Sequence, residues 1–186
     1  VKEGTGTTRE EVLALAAETG YPLVMKVVGP LHKSDVGGVT LNIRTEEHLL
    51  AEFERMMQIP EATAVMVQQM LSGTELFLGA KYEPKFGHVV LCGLGGIFVE
   101  VLEDVSSGLA PLTYAEAYSM IHSLKSYKII KGARGKEGIS EKKYAEIIVH
   151  LSTLLRFATE IKELDLNPLL GTPTSVTAVD ARFRVE

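Results

Sequence analysis

The run Leu23-Val24-Met25-Lys26-Val27-Val28 places one lysine inside an otherwise apolar segment. The chain then passes through Gly29-Pro30 into Leu31-His32-Lys33-Ser34-Asp35-Val36 and closes on Gly37-Gly38. A short apolar run of this kind, entered from Tyr21-Pro22, reads as a buried strand. A lysine within it is costly unless its stem runs to the strand edge or an anion meets its ammonium. The paired glycines let the backbone take positive φ or bring N–H groups close to a ligand. Together these features point to a phosphate site at Lys26 with His32 beside it. The window alone fits equally well a strand that ends in an ordinary turn.

The rest of the chain limits the choices. It has 186 residues, 46% of them hydrophobic, which is enough for one domain or two small lobes around a real core. A formal net charge of −5, with no basic tract, argues against nucleic acid as a partner. Cys92 is the single cysteine, so an internal disulfide and a cysteine zinc site are both excluded. No leader-like segment or long apolar span is present, so no membrane association is expected and the expected compartment is the cytoplasm. The opening, Val1 followed by Gly4-Thr5-Gly6-Thr7-Thr8, reads as a piece of a longer protein.

The pattern of elements is α/β, or α+β. Thr8 is a good N-cap for a helix to about Thr19, with Glu10 and Glu11 in its first turn and Gly20 at its end. Strands are expected at Leu23–Val28, Val39–Ile43, Ala64–Met70, Leu76–Tyr82, His88–Leu91 and Val176–Asp180. Thr45 caps a helix over about Glu46–Met57, with Leu49, Leu50 and Phe53 on one face. Further helices are expected at Tyr114–Leu124 and Lys142–Ile161, with a loop at Lys125–Ser140. There is no internal repeat and no low-complexity linker.

Four more constellations carry possible chemistry. In Val67-Gln68-Gln69-Met70-Leu71-Ser72-Gly73-Thr74-Glu75, a strand leads through a polar turn to an acid. Strand backbone around Gln69 can meet an adenine edge, and Glu75 can take ribose hydroxyls; a solvated glutamate after a turn is the plainer alternative. Cys92-Gly93-Leu94-Gly95-Gly96 follows a strand and resembles part of a phosphate-binding turn, although its spacing is not the dinucleotide fingerprint. Glu100, Glu103 and Asp104 form either a magnesium-holding cluster or a solvated edge. In Leu164-Asp165-Leu166-Asn167, alternation puts Asp165 and Asn167 on one face, and Asp180 ends a neighbouring strand. Two carboxylates and an amide oxygen are hard ligands suited to magnesium that bridges phosphates.

In this order the motifs become recognisable. A strand lysine is followed by His-Lys-Ser-Asp-x-Gly-Gly-Val, a Gly-x-Glu turn, Phe86-Gly87, Gly-x-Gly-Gly-Ile-x-Val-Glu, Asp-x-Asn-Pro-Leu and a later Asp. The chain resembles, over nearly its whole length, the ATP-grasp domain of NDP-forming acyl-CoA synthetases, the ADP-forming acetate–CoA ligase family. It is more distantly similar to the β subunit of succinyl-CoA synthetase. It departs from the family at Glu83, His88 and Gly108, where Asp, Pro and Arg are usual, and family members usually begin with a further helix and strand.

The resemblance implies an ATP-grasp fold of two small lobes with ADP or ATP between them. It implies the reversible conversion of acyl-CoA, phosphate and ADP into acid, CoA and ATP through a phosphohistidine. Carried over residue by residue, His32 would receive the phosphoryl group and Lys26 would contact nucleotide phosphates. Glu75 and Gln69 would lie along the nucleotide, with Gly95 and Gly96 beside its phosphates. Asn167 and Asp180 would bind Mg2+, with Asp165 nearby. The partner would be a CoA-binding and ligase portion, either an α subunit or a fused domain, giving a hetero-oligomer or a fused homodimer. Two alternatives remain: a regulatory ATP-grasp module of a fused protein acyltransferase, and an ATP-grasp ligase that activates a carboxylate directly without a histidine carrier.

Overall fold

The computed structural model describes residues 1–30, 36–96, 103–133, 135 and 137–186. The chain divides into two compact units, Val1–Leu71 and Ser72–Glu186. Among the described residues every strand pairing is antiparallel, and the helices are segregated from the strands, so the architecture is α+β.

The first unit runs β1 (Glu3–Gly6), α1 (Arg9–Thr19), β2 (Leu23–Val28), β3 (Val39–Ile43), α2 (Glu46–Met57) and β4 (Ala64–Gln69). Its sheet order is β1-β4-β2-β3. Thr8 caps α1 in a reciprocal box with Glu11, and Thr45 caps α2. Leu23, Met25, Val27, Val65 and Val67 bury one sheet face in a core shared with Val12 and Ala16 of α1 and Leu49, Phe53 and Met56 of α2. Alternation therefore turns Lys26 to the opposite face. The segment Glu3–Gly6, which is not among the expected elements, is a strand whose Thr5 pairs with Met66 of β4.

The second unit runs β5 (Thr74–Glu83), β6 (Gly87–Leu94), β7 (Val105–Leu109), α3 (Tyr114–Ser123), α4 (Tyr127–Lys131), α5 (Glu141–Phe157), β8 (Ile161–Gly171), β9 (Val176–Ala178) and β10 (Arg182–Val185). The sheet order is β10-β8-β5-β6-β7, with β9 added to β8. Leu76, Leu78, Val90, Cys92 and Leu169 pack against Ile121, Tyr144, Ile148 and Leu155 of the helices.

Several expectations are corrected here. The segment expected as a loop over Lys125–Ser140 contains the short helix α4. The last long helix ends at Phe157, and Ile161 opens β8. Gly93 lies inside β6, so only Gly95 and Gly96 belong to the turn. The late strand stops at Ala178, which leaves Asp180 in the connection between β9 and β10. Among the described residues no helix is long and apolar enough to cross a membrane.

Candidate functional site

In β8 the side chains of Leu164 and Leu166 pack against the core, which turns Asp165 and Asn167 to the opposite face. The core position then jumps to Leu169 rather than Pro168. The cause is a bulge. Leu78 pairs with Leu166 and Leu76 with Leu169, so Phe77 alone faces both Asn167 and Pro168. A bulge of this kind re-aims the side chains of its strand. On β5 the core residues are Leu76, Leu78 and Ala80, so Glu75 shares the open face with Asp165, which stands opposite Gly79. The bulge thus lets one strand bury leucines on both sides of Asn167 while it presents its polar groups to the open face.

Asp180 comes to the same place from the connection before β10. Arg182 is the register partner of Asp165 across β8 and β10, and its guanidinium lies 3.6 Å from the Asp180 carboxylate. Asp180 Oδ1 also accepts the Ala181 N–H at 3.1 Å. Burial pushes the Asp165 carboxyl above its ordinary range; Arg182 opposes the shift and the Asp180 charge adds to it. Asp165 Oδ1 is closed off from solvent and has no hydrogen-bond partner among the described residues. A buried acceptor left unpaired in a native fold calls for an explanation.

The glycine turn is built from the next strand pair. The Gly95 N–H donates to the Glu75 carbonyl at 2.8 Å. A Cβ on Gly95 would lie 2.9 Å from the Leu76 carbonyl oxygen. Gly96 has φ +62°, and a Cβ there would collide with the Glu75 carboxylate. The turn therefore accepts only glycine at close quarters with Glu75. Below it, the buried Tyr144 hydroxyl bridges the two strands. It donates to the Phe77 carbonyl at 2.5 Å and accepts the Gly93 N–H at 3.1 Å. Nothing in the sequence marks Tyr144 for this role, since in α5 it reads simply as a core position.

In the first unit, Lys26 is half-buried in β2 between Val39 and Met66. Gln69 is exposed at the end of β4, and its N–H already donates to the Lys2 carbonyl at 2.9 Å. The Met70 N–H likewise goes to the Pro22 carbonyl, at 3.1 Å. A nucleotide base would meet other groups of this strand end.

His32, the candidate carrier, lies outside the described residues, as does Glu100. Of the acids grouped with Glu100, Asp104 has a structural task. Its buried carboxylate accepts the Lys125 and Ser126 N–H groups at 2.9 and 2.7 Å, ahead of α4. Burial alone would raise this carboxyl, but the Ser126 and Lys125 hydrogen bonds hold it below its ordinary value. At Gly108, where the resembled family carries arginine, a Cβ would meet Leu112 and Met120 at 2.8 and 2.9 Å.

The donor set at Asp165, Asn167 and Asp180 fits magnesium by its chemistry. All three offer oxygen, and one carboxylate oxygen has no partner among the described residues. Among the described residues no three His, Cys, Asp or Glu side chains converge on one point. Magnesium takes one or two carboxylates and leaves its other positions to phosphate and water.

The sequence matches the ATP-grasp domain model over residues 1–185. It is 43% identical to the β subunit of ADP-forming acetate–CoA ligase I of Pyrococcus furiosus, over 94% of this chain and 79% of that one. It is 40% identical to ADP-forming acetate–CoA ligase II of Archaeoglobus fulgidus, over 96% of this chain but 27% of that longer protein. Acetyl-coenzyme A synthetase 1 of Ca. Korarchaeum cryptofilum, solved with coenzyme A and Ca-AMPCP, superposes with a TM-score of 0.94 at 36% identity, over 99% of this chain and 85% of that one. The same protein with coenzyme A and Mg-AMPPCP, its phosphohistidine segment pointing towards the nucleotide binding site, gives a TM-score of 0.87 at 35% identity, over 98% and 84%. The chain belongs to the ATP-grasp family, as the nucleotide-binding domain of an NDP-forming acyl-CoA synthetase of the ADP-forming acetate–CoA ligase type.

Proposed function

We propose that this chain carries the nucleotide half of the reversible reaction in which acyl-CoA, phosphate and ADP become acid, CoA and ATP. The observation that carries this reading is the open face of β8, where Asp165 lies beside Asp180 with a buried acceptor that has no partner among the described residues, and strand alternation turns Asn167 to the same side. The Korarchaeum relative, solved with Mg-AMPPCP, lends support from a protein of the same family.

In this reading Asn167 and Asp180 hold Mg2+, with Asp165 beside them. A magnesium ion held by these residues would supply positive charge to the phosphates during transfer. Lys26 adds a second cation to the phosphates, Glu75 faces the ribose side, and the backbone of Gly95 and Gly96 approaches the phosphates. His32 is the carrier. Its neutral ring nitrogen attacks the γ-phosphorus of ATP, the bond to the bridging oxygen breaks, and ADP leaves with that electron pair. In the reverse direction an ADP oxygen displaces the histidine nitrogen. The acyl and CoA chemistry belongs to a CoA-binding portion, present as an α subunit or a fused domain, in the cytoplasm.

The test is to incubate the synthetase with γ-labelled ATP and magnesium. An acid-labile, base-stable phosphoprotein is expected. His32→Ala should remove label and abolish net turnover while ADP affinity stays near that of the parent. Full turnover in His32→Ala would remove the carrier role and favour direct transfer.

A further inference from the structure

The magnesium reading above leaves one neighbouring residue without a role. Arg182 stands directly opposite Asp165 in the β8–β10 pair, so the two side chains share the open face. Its guanidinium is 3.6 Å from Asp180, a contact too long for a hydrogen bond. It therefore meets both carboxylates electrostatically and is bound tightly by neither. Its side chain is 63% exposed, so it can swing without disturbing the core. Arg184, two residues on, behaves differently. It lies 3.3 Å from Glu163 and also pairs with Glu186, so its charge is taken up locally at the chain end.

We propose that Arg182 is a positioning residue that serves as the exchangeable counter-cation of the metal site. Without metal it compensates the two carboxylates and keeps Asp165 and Asp180 close together despite their repulsion. When the magnesium–nucleotide complex arrives, the ion takes the carboxylates, and the released guanidinium turns to the phosphate oxygens. Guanidinium suits both partners, since its fork of N–H donors matches carboxylate and phosphate alike. The inference rests on the metal reading of Asp165, Asn167 and Asp180.

The exchange has a signature with two opposite signs. Removing Arg182 takes away the cation that competes with magnesium for the two carboxylates. It also deprives metal-free ADP of a positive partner. On the full chain, Arg182→Gln should tighten binding of Mg2+ alone by about fivefold, as judged from the charge–charge energy at this range. The same variant should weaken metal-free ADP by about as much. Both are read by titration calorimetry, with no turnover needed. Arg184→Gln, on the same strand and face, should leave both affinities unchanged.

Weakening of both ligands in Arg182→Gln, or loss of neither, would overturn the counter-cation role. So would an equal effect from Arg184→Gln, which would show only the general field of the protein. Asp180→Asn tests the metal site apart from the arginine. If it leaves Mg2+ binding intact, the metal site itself is misassigned, whatever Arg182 does.

Discussion

The carboxylate of Glu75 lies in the space that a Cβ on Gly96 would occupy, so the acid and the glycine turn are fitted to each other. Gly96→Ala should therefore fail in two ways: a left-handed backbone costs an alanine about 1–2 kcal/mol, and Glu75 must move aside. ADP affinity should fall with stability. The double variant Gly96→Ala/Glu75→Ala should lose clearly less stability than the two single changes summed. Additive losses in denaturant melts would show that the two residues are not coupled.

Removing a magnesium ligand should separate metal-dependent from metal-independent binding. We expect Asn167→Ala and Asp180→Asn each to weaken ADP binding about tenfold or more in magnesium and far less in EDTA. Thermal melts should move little, because Asp180 lies in a connection and Asn167 on the open face. A large drop in melting temperature with unchanged magnesium dependence would make these residues structural.

Tyr144→Phe keeps the ring that fills the core but deletes the hydroxyl between Phe77 and Gly93. The stranded polar groups should cost about 1–3 kcal/mol. Amide exchange at Gly93 should accelerate ahead of the rest of β6. Unchanged protection there would mean that the strands hold themselves together without the hydroxyl.

Alkaline pH should probe the same spot. Burial pushes the Cys92 thiol up to about 12 from an ordinary 9.0, with the Tyr144 hydrogen bond opposing and the Asp104 charge adding. A folded-state value raised in this way keeps the thiol neutral while the unfolded chain ionises. The stabilisation is complete below about pH 9 and is lost progressively as the pH rises towards 12. Burial raises Tyr144 as well, which adds a loss in the same direction. Urea melts from pH 7 to 10.5 should show falling stability, less steeply in Cys92→Ala. Thiol reagents at pH 8 should label Cys92 only as fast as the protein opens.

Much of this could be read along the chain, and the remainder shows where local patterns stop. Thr8 and Thr45 announced their helices because capping is chemistry within four residues. Asp165 and Asn167 could be placed on one face because alternation is local too. The strands Glu3–Gly6 and Val105–Leu109 were missed because small and polar residues in them hide the period-two pattern. Arg182–Val185 alternates charged and apolar residues, but it is only four residues long and exposed throughout, with no buried face to announce it. Asp180 was placed on a strand that ends two residues earlier, and Arg182 had no visible function. Both depend on how β8, β9 and β10 are registered, which the sequence does not display.

The extra residue in β8 has a consequence for anyone who edits this chain. The strand is read in two frames: even-numbered leucines face inward before Asn167, and an odd-numbered one does so after Pro168. Deleting Pro168 would put both halves in a single frame. Leu166, Asn167 and Leu169 would then face Leu78, Phe77 and Leu76 in unbroken alternation, so the core leucines would keep their places while Asn167 lost the kink that aims it. A one-residue deletion here should therefore disturb magnesium chemistry while leaving the core faces matched, although it removes no ligand at all.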